Sequence, residues 1–340
     1  MRCFLLACCT LACRTILAAE PVTLETVVDP GANLADEPVA ETYSEETAIR
    51  FLDSAALHWQ KQRECFTCHT NYAYLYARPL VSSDCDEHKT VRAFAEQLVS
   101  QRWSDKGPRW DAEVVATAAA LAFNDAHTTN TLHPVTREAL DKMWSLQRED
   151  GGWTWIDCDW PPMEDDDGYG VCLAALAVGV APDDYRESEA ARKGLDGIRR
   201  FFAANPPPTL HHRAMLLWAD SYGADVLTDD EVQQVVAEIR LLQHADGGWS
   251  LAQFGNWERE DGSPQDLETS NGYGTGFAVY ILRKSGVPAD DPSIQQGVTW
   301  LKGNQRTSGR WFTRSVYKDS KHYISHIGTA FAVMAIAECE

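Results

Sequence analysis

Two short stretches and one scattered set hold the side chains able to do chemistry. Glu164, Asp165, Asp166 and Asp167 line up four carboxylates between Pro161-Pro162-Met163 and the apolar run GYGVCLAALAVGV from Gly168. Crowded carboxylates raise one another's pKa, so such a cluster can keep a proton toward neutral pH and donate it. The plainer reading is a polar loop and helix cap, because acidic residues suit a helix N-terminus. A divalent metal or a cationic ligand is a third option for the same four groups. Cys65-Phe66-Thr67-Cys68-His69 spaces two thiols and an imidazole as C-x-x-C-H. That spacing accepts covalent haem: Cys65 and Cys68 add across the vinyl groups and His69 takes one axial site on the iron. Met163, Met215, His211 and His212 are all open as the opposite ligand. A Cys/Cys/His metal site completed by Cys85 or His88 is a rival, and so is a plain disulfide. The scattered set is His69, Asn71, Asp111, the acidic cluster, His211, His212, Asn271, His322 and His326. Each falls at the start of an apolar run, where it could line a polar rim that binds metal or a polar ligand.

The elements that position these groups repeat. Gln147, Gly151 and Trp153 are spaced Gln-x3-Gly-x-Trp, and the spacing returns at Gln243, Gly247, Trp249 and at Gln305, Gly309, Trp311. Each copy closes a helical pattern. After a polar loop a second apolar helix follows, opening at Gly168, Gly272 or Ile327. The unit is therefore an αα-hairpin, which cannot bury its apolar face alone and must stack on its neighbours. In the first unit Ser44 caps a helix over 44–63, with Glu45 and Glu46 in its first turn. The cysteine motif stands in the turn that follows, Phe66 in the glycine slot and Cys68 in the tryptophan slot. Gln101, Gly107 and Trp110 keep the residue types of the turn without its spacing. Between Gln147 and Gln243 a further hairpin has Pro206-Pro207-Pro208 as its turn. Six hairpins result, with no strand pattern. The recurring Gln and Trp are expected to be structural glue, the indole offering area and a donor, the glycines a positive φ. Ligand stacking is the alternative role for these tryptophans.

These motifs resemble those of squalene-hopene cyclases, oxidosqualene cyclases and protein prenyltransferase β subunits, over about 44–340. The resemblance implies an all-α fold, an α/α toroid of about six helical hairpins in a single barrel, inner helices ringed by outer ones. It also implies an apolar isoprenoid in the toroid. Class II terpenoid cyclases use Asp-x-Asp-Asp, whose middle Asp protonates the substrate. Glu164-x-Asp166-Asp167 is similar, with Glu for the first Asp, which makes Asp166 the implied acid and Glu164, Asp165 and Asp167 its support. The equivalent position in a later repeat is Glu268-Thr269-Ser270-Asn271, which favours the polar-loop reading. The prenyltransferase subunits hold zinc with Asp, Cys and His, and no spaced Asp-x-Cys pair matches them here. The large cyclases use two barrels and this chain has room for one.

The expected function is an exported terpenoid cyclase-like toroid that binds or cyclises an isoprenoid. The alternatives are a haem-bearing redox or binding protein on the same scaffold, and an interaction toroid without chemistry. Residues 1–19 resemble a secretory signal: a basic start, an apolar run from Cys3 to Cys13, small residues at Ala18 and Ala19. Leu11-Ala12-Cys13 resembles a lipoprotein site, so a lipid-anchored, peripherally membrane-bound form is included in the expectation. Residues 20–43 are acidic, contain Pro and Gly, and are expected to be a flexible lead-in. The chain has 340 residues, 44% of them hydrophobic, which suffices for a cored toroid. Its formal net charge of -20 disfavours nucleic acid as a partner. No phosphate-cradling glycine loop, HExxH, Gly-x-Ser-x-Gly or dinucleotide fingerprint occurs, which argues against those chemistries. Of ten cysteines, four lie in the leader; pairing of Cys85 with Cys158 or Cys339 is conceivable outside the cytoplasm.

Overall fold

The computed structural model describes residues 21–340, so the leader and its lipoprotein-like site lie outside the described residues. The helices run in the order α1 (Glu45–Arg63), α2 (Ala73–Val81), α3 (Asp86–Gln97), α4 (Trp103–Lys106), α5 (Asp111–Thr128), α6 (Pro134–Ser145) and α7 (Asp167–Val180). They continue with α8 (Glu189–Ala204), α9 (Leu210–Asp220), α10 (Asp229–Leu241), α11 (Gly272–Lys284), α12 (Pro292–Asn304) and α13 (Ile324–Ala337). π-helical turns at Cys68–Tyr72 and Leu98–Arg102 lead into α2 and α4. No strand forms among the described residues, only isolated bridges at Val39–Arg306 and Trp160–Glu164.

Two rings of helices follow from two kinds of sequence. α5, α7, α11 and α13 are apolar nearly all round and are buried nearly all round, as a helix enclosed on every side must be. α8 and α10 are one-faced; α10 buries only Val235 and Ile239. The inner ring is α2, α5, α7, α9, α11 and α13, each packed on the next, and α13 packs back on α2 to close it. The outer ring is α1, α3, α6, α8, α10 and α12. These are the six hairpins of an α/α toroid.

The recurring Gln and Trp bind the outer ring together. Trp153 Nε1 donates to Met143 O in the last turns of α6 at 2.9 Å. Gln147 Nε2 donates to Gly151 O of its own turn and to Gly194 O of α8, both at 3.0 Å. Gln243 repeats this between its turn and Ser293 O of α12, and Trp249 on Ile239 O. Gln305 reaches across the chain ends to Ser44 O, while Ser44 N–H donates back to Gln305 Oε1 at 2.8 Å. The last turn is thus fastened to α1, which closes the outer ring. The degraded turn does not make this lock: Trp110 is 58% exposed, and Trp103 is the buried indole, donating to Glu113 Oε1 at 2.9 Å.

The acidic lead-in is tethered to the last repeat by hydrogen bonds. Asn33 Nδ2 donates to Thr313 O at 2.7 Å, and Ala40 N–H to Gln305 O at 2.7 Å. Arg310, itself buried, donates to the carbonyls of Pro30, Gly31 and Ala32. Its composition hid this, because the partners are backbone carbonyls that any residue supplies.

The toroid axis is filled. Trp218 of α9 meets Tyr76, Tyr280 and Phe331 edge-on, with ring centroids 5.4, 5.4 and 6.0 Å apart. Tyr169, Leu173, Met215 and Met334 complete a lining that leaves about 10 Å³ of free space. Among the described residues no helix is long and apolar enough to cross a membrane.

Candidate functional site

The acidic cluster sits where the loop from Trp155 enters α7. Asp166 is the N-cap: its Oδ1 accepts from Tyr169 N–H at 3.1 Å. The same oxygen lies 3.0 Å from His212 Nε2, and His212 Nδ1 lies 2.8 Å from Thr209 Oγ1. Burial raises the Asp166 carboxyl, but the His212 hydrogen bond, the His212 charge and the backbone donors outweigh it. Asp166 is therefore held below its usual range and stays ionised. Asp167 is committed elsewhere, to Arg148 at 2.7 Å and to Trp155 N–H at 2.9 Å. Glu164 and Asp165 shift the other way. Burial pushes Glu164 up, with Lys321 opposing it; burial and then the neighbouring Asp166 charge push Asp165 up. Asn271 caps α11 in the same manner, its Oδ1 accepting from Gly274 N–H at 2.9 Å. Capping is thus the shared duty of this position.

The loop folds back on itself. Cys158 and Trp160 N–H both donate to Glu164 O, and Trp155 Nε1 donates to Met163 O at 2.7 Å. This carries Trp160 onto His69, with ring centroids 4.5 Å apart. Trp59 and Tyr323 also flank His69, at 4.8 and 5.1 Å. Lys321 lies 4.8 Å over the Trp160 ring. The loop that carries the acidic cluster therefore meets the cysteine motif. His69 Nδ1 lies 2.6 Å from Thr70 Oγ1, which lies 3.0 Å from His326 Nδ1. A hydroxyl thus links the buried His69 to a residue of the rim.

That packing does not fit haem. His69 is 2% exposed, and its ring is enclosed by Trp59, Trp160 and Tyr323. A porphyrin on its iron-binding edge would have to displace these rings. Cys68 is buried, its thiol pushed well up by burial, while Cys65 is half-buried. Of the residues named as opposite ligands, His211 Nε2 bonds the Tyr273 hydroxyl at 2.8 Å, His212 bonds Asp166, and Met163 and Met215 are buried in the core. His88 has both ring nitrogens partnered, by Ser83 O and Asn124 Nδ2, and Cys85 caps α3. Among the described residues no three His, Cys, Asp or Glu groups are placed to hold a metal ion. The six described cysteines are free thiols, including Cys85, Cys158 and Cys339.

Open space lies at the rim, beside the N-termini of α11 and α13. One cavity of about 760 Å³ is walled by Asn33, Asp266, Asn271, Trp300, Phe312 and His322, among others. A second, of about 680 Å³, is walled by Trp59, His58, Tyr323, His326 and again His322. The sequence pointed to Asn271, His322 and His326 as rim residues. It did not single out Trp59, Trp160, Trp300, Lys321 or Tyr323; the tract Lys321-His322-Tyr323 beside His326 is the visible signal. Asn71 is not part of the rim surface: it is fully buried and donates to Ala56 O at 3.0 Å.

No family model matches the chain. It is 24% identical over 241 residues to a squalene-hopene cyclase of Zymomonas mobilis, a stretch covering 60% of this chain and 34% of that protein. The chain thus spans about a third of that relative's length. Among solved structures, ent-copalyl diphosphate synthase from Streptomyces platensis superposes with a TM-score of 0.52 at 15% identity, covering 79% of this chain and 50% of that one. An α-1,6-mannanase from Salegentibacter, solved with α-1,6-mannotriose, superposes with a TM-score of 0.51 at 11% identity, covering 86% and 99%. These likenesses establish a squalene cyclase-like α/α toroid as the fold. Since a terpenoid synthase and a mannanase share it, the fold does not name the chemistry.

Proposed function

We propose that this protein is an exported toroid that binds a polar small molecule at its rim and does not cyclise an isoprenoid on its axis. The carrying observation is a contrast of volumes. The axis offers about 10 Å³, space for about one water, whereas the rim cavities offer about 760 and 680 Å³. Small-molecule sites run to about 300–1,000 Å³. The protonation state of Asp166 supports the same reading, since an ionised, helix-capping carboxylate has no proton to give.

A second reading, acid-initiated cyclisation, is favoured by the similarity to squalene-hopene cyclase and by the raised pKa of Glu164 and Asp165. On that reading the acid is Glu164 or Asp165 rather than Asp166. The test is incubation of the full chain with radiolabelled squalene and geranylgeraniol, reading bound label and cyclised product. We expect neither. A cyclised product that disappears in Glu164→Gln or Asp165→Asn would replace the rim reading with the cyclase reading.

A further inference from the structure

Resting on the rim reading above, we infer that the 760 Å³ rim cavity is a site for a neutral polyhydroxylated chain, an oligosaccharide, that continues past His322 into the 680 Å³ cavity. The walls combine two features that such a ligand needs. Trp300 and Phe312 supply aromatic surface in the first cavity, and Trp59 and Tyr323 in the second. Sugar rings present C–H faces to aromatic surface and hydroxyls around their edge. The hydrogen-bonding groups match that edge. Asn33 Oδ1 is a buried acceptor without a partner, and Arg306 Nε is a buried donor without one; both residues wall the first cavity. His322 Nδ1 and Trp59 Nε1 are likewise buried and unpartnered. Buried polar atoms without partners are uncommon and costly, and a hydroxyl can satisfy both a donor and an acceptor.

Charge narrows the class. Asp246, Asp266, Glu268 and Asp319 stand against Arg306 and Arg314 around the first cavity. Arg314 is already paired with Asp319 at 2.8 Å, and Arg306 donates to Glu37 O at 2.6 Å. A phosphate or sulfate would meet four carboxylates against two guanidiniums, one of them already ion-paired, which disfavours polyanions. An apolar isoprenoid would desolvate the same groups without replacing their hydrogen bonds. His322 walls both cavities, so the two adjoin, which favours a chain over a single sugar.

The test is calorimetric titration of the full chain with α-1,6-mannotriose, maltohexaose, cellohexaose and chitohexaose, with squalene as the apolar comparison. We expect at least one oligosaccharide to saturate. Trp300→Ala and Asn33→Ala should each weaken it roughly tenfold, the scale of losing one buried interface contact. Trp59→Ala should weaken a hexasaccharide more than mannotriose. Because Trp300 Nε1 donates to Asp246 Oδ2 at 3.0 Å and helps hold the wall, Phe312→Leu is the second variant if Trp300→Ala melts early. Binding that none of these variants weakens would overturn the assignment to this cavity. No binding of any oligosaccharide at millimolar concentration, with squalene also unbound, would overturn the ligand class alone. Squalene binding would overturn the rim reading as well.

Discussion

His326 stays neutral down to about pH 3, because burial and then the Arg310 charge oppose its protonation. Its ordinary value is 6.5, so between pH 6.5 and about 3 the unfolded chain takes up a proton that the folded chain refuses. Stability therefore falls as pH drops through that window and is flat above it. For His326 alone the loss by about pH 4 is on the order of 3 kcal/mol. His88 and His127, each lowered to about 4 chiefly by burial, act in the same direction. Urea unfolding at neutral pH and at about pH 4 should show a large drop, and His326→Gln should reduce it. An equal drop in the variant would show that His326 titrates normally. At this scale the sequence could name His326 and the four carboxylates. It could not order their pKa values, because that depends on which neighbours burial supplies. Asp166 has His212, and Glu164 has mainly burial.

At the scale of the element, the Gly-x-Trp turn decides how neighbouring hairpins dock. Gly151 has φ +93°, and a Cβ there would stand 1.9 Å from Gly197 O of α8. Gly262 also has a positive φ, +69°, but faces open space. Gly262→Ala should cost about 1 kcal/mol for the left-handed backbone alone. Gly151→Ala should cost about 3 kcal/mol, since overlap with the next helix adds to that strain. Denaturant midpoints of the two variants check this, and equal midpoints would mean that the turn does not set the hairpin spacing. The turns were legible as Gln-x3-Gly-x-Trp because glutamine, glycine and indole lie within seven residues of one another. The Pro206–Pro208 turn was legible by period, and its hairpin, α8 with α9, is present. Trp110 misled because its residue type persists while its spacing to Gln101 has changed, and the indole faces solvent.

The whole molecule is a closed ring held at its seam by the residues farthest apart in sequence. Gln305 meets Ser44, and Arg310 gathers three carbonyls of the segment before α1 while lying 4.7 Å over Phe51. Arg310→Met would keep most of the volume but remove the donors to those carbonyls, which lie in a half-buried to exposed stretch. Water can reach those carbonyls, so the lost charge-assisted hydrogen bonds should cost about 1–3 kcal/mol. The variant should also release residues 21–43 to limited proteolysis before the body unfolds. Proteolysis of that segment at the same rate in both proteins would show that the strap is not held by Arg310.

By itself the sequence determined the stacked hairpins, and its resemblance to the squalene cyclases implied the toroid. The hairpins, their three intact turns and the apolar second helices follow from short-range patterns, and a short-range pattern is carried by a few neighbouring residues. Only the tertiary structure decided what the ring encloses. Whether the axis is a chamber or a packed core depends on Tyr76, Tyr169, Trp218, Tyr280 and Phe331, which come from five different helices and meet only when the ring closes. The same holds for His69. Its motif is five residues long, but the rings that enclose it come from α1, from the loop before α7 and from the end of the chain. Volume and burial are sums over distant parts of the chain, and local spacing does not carry them.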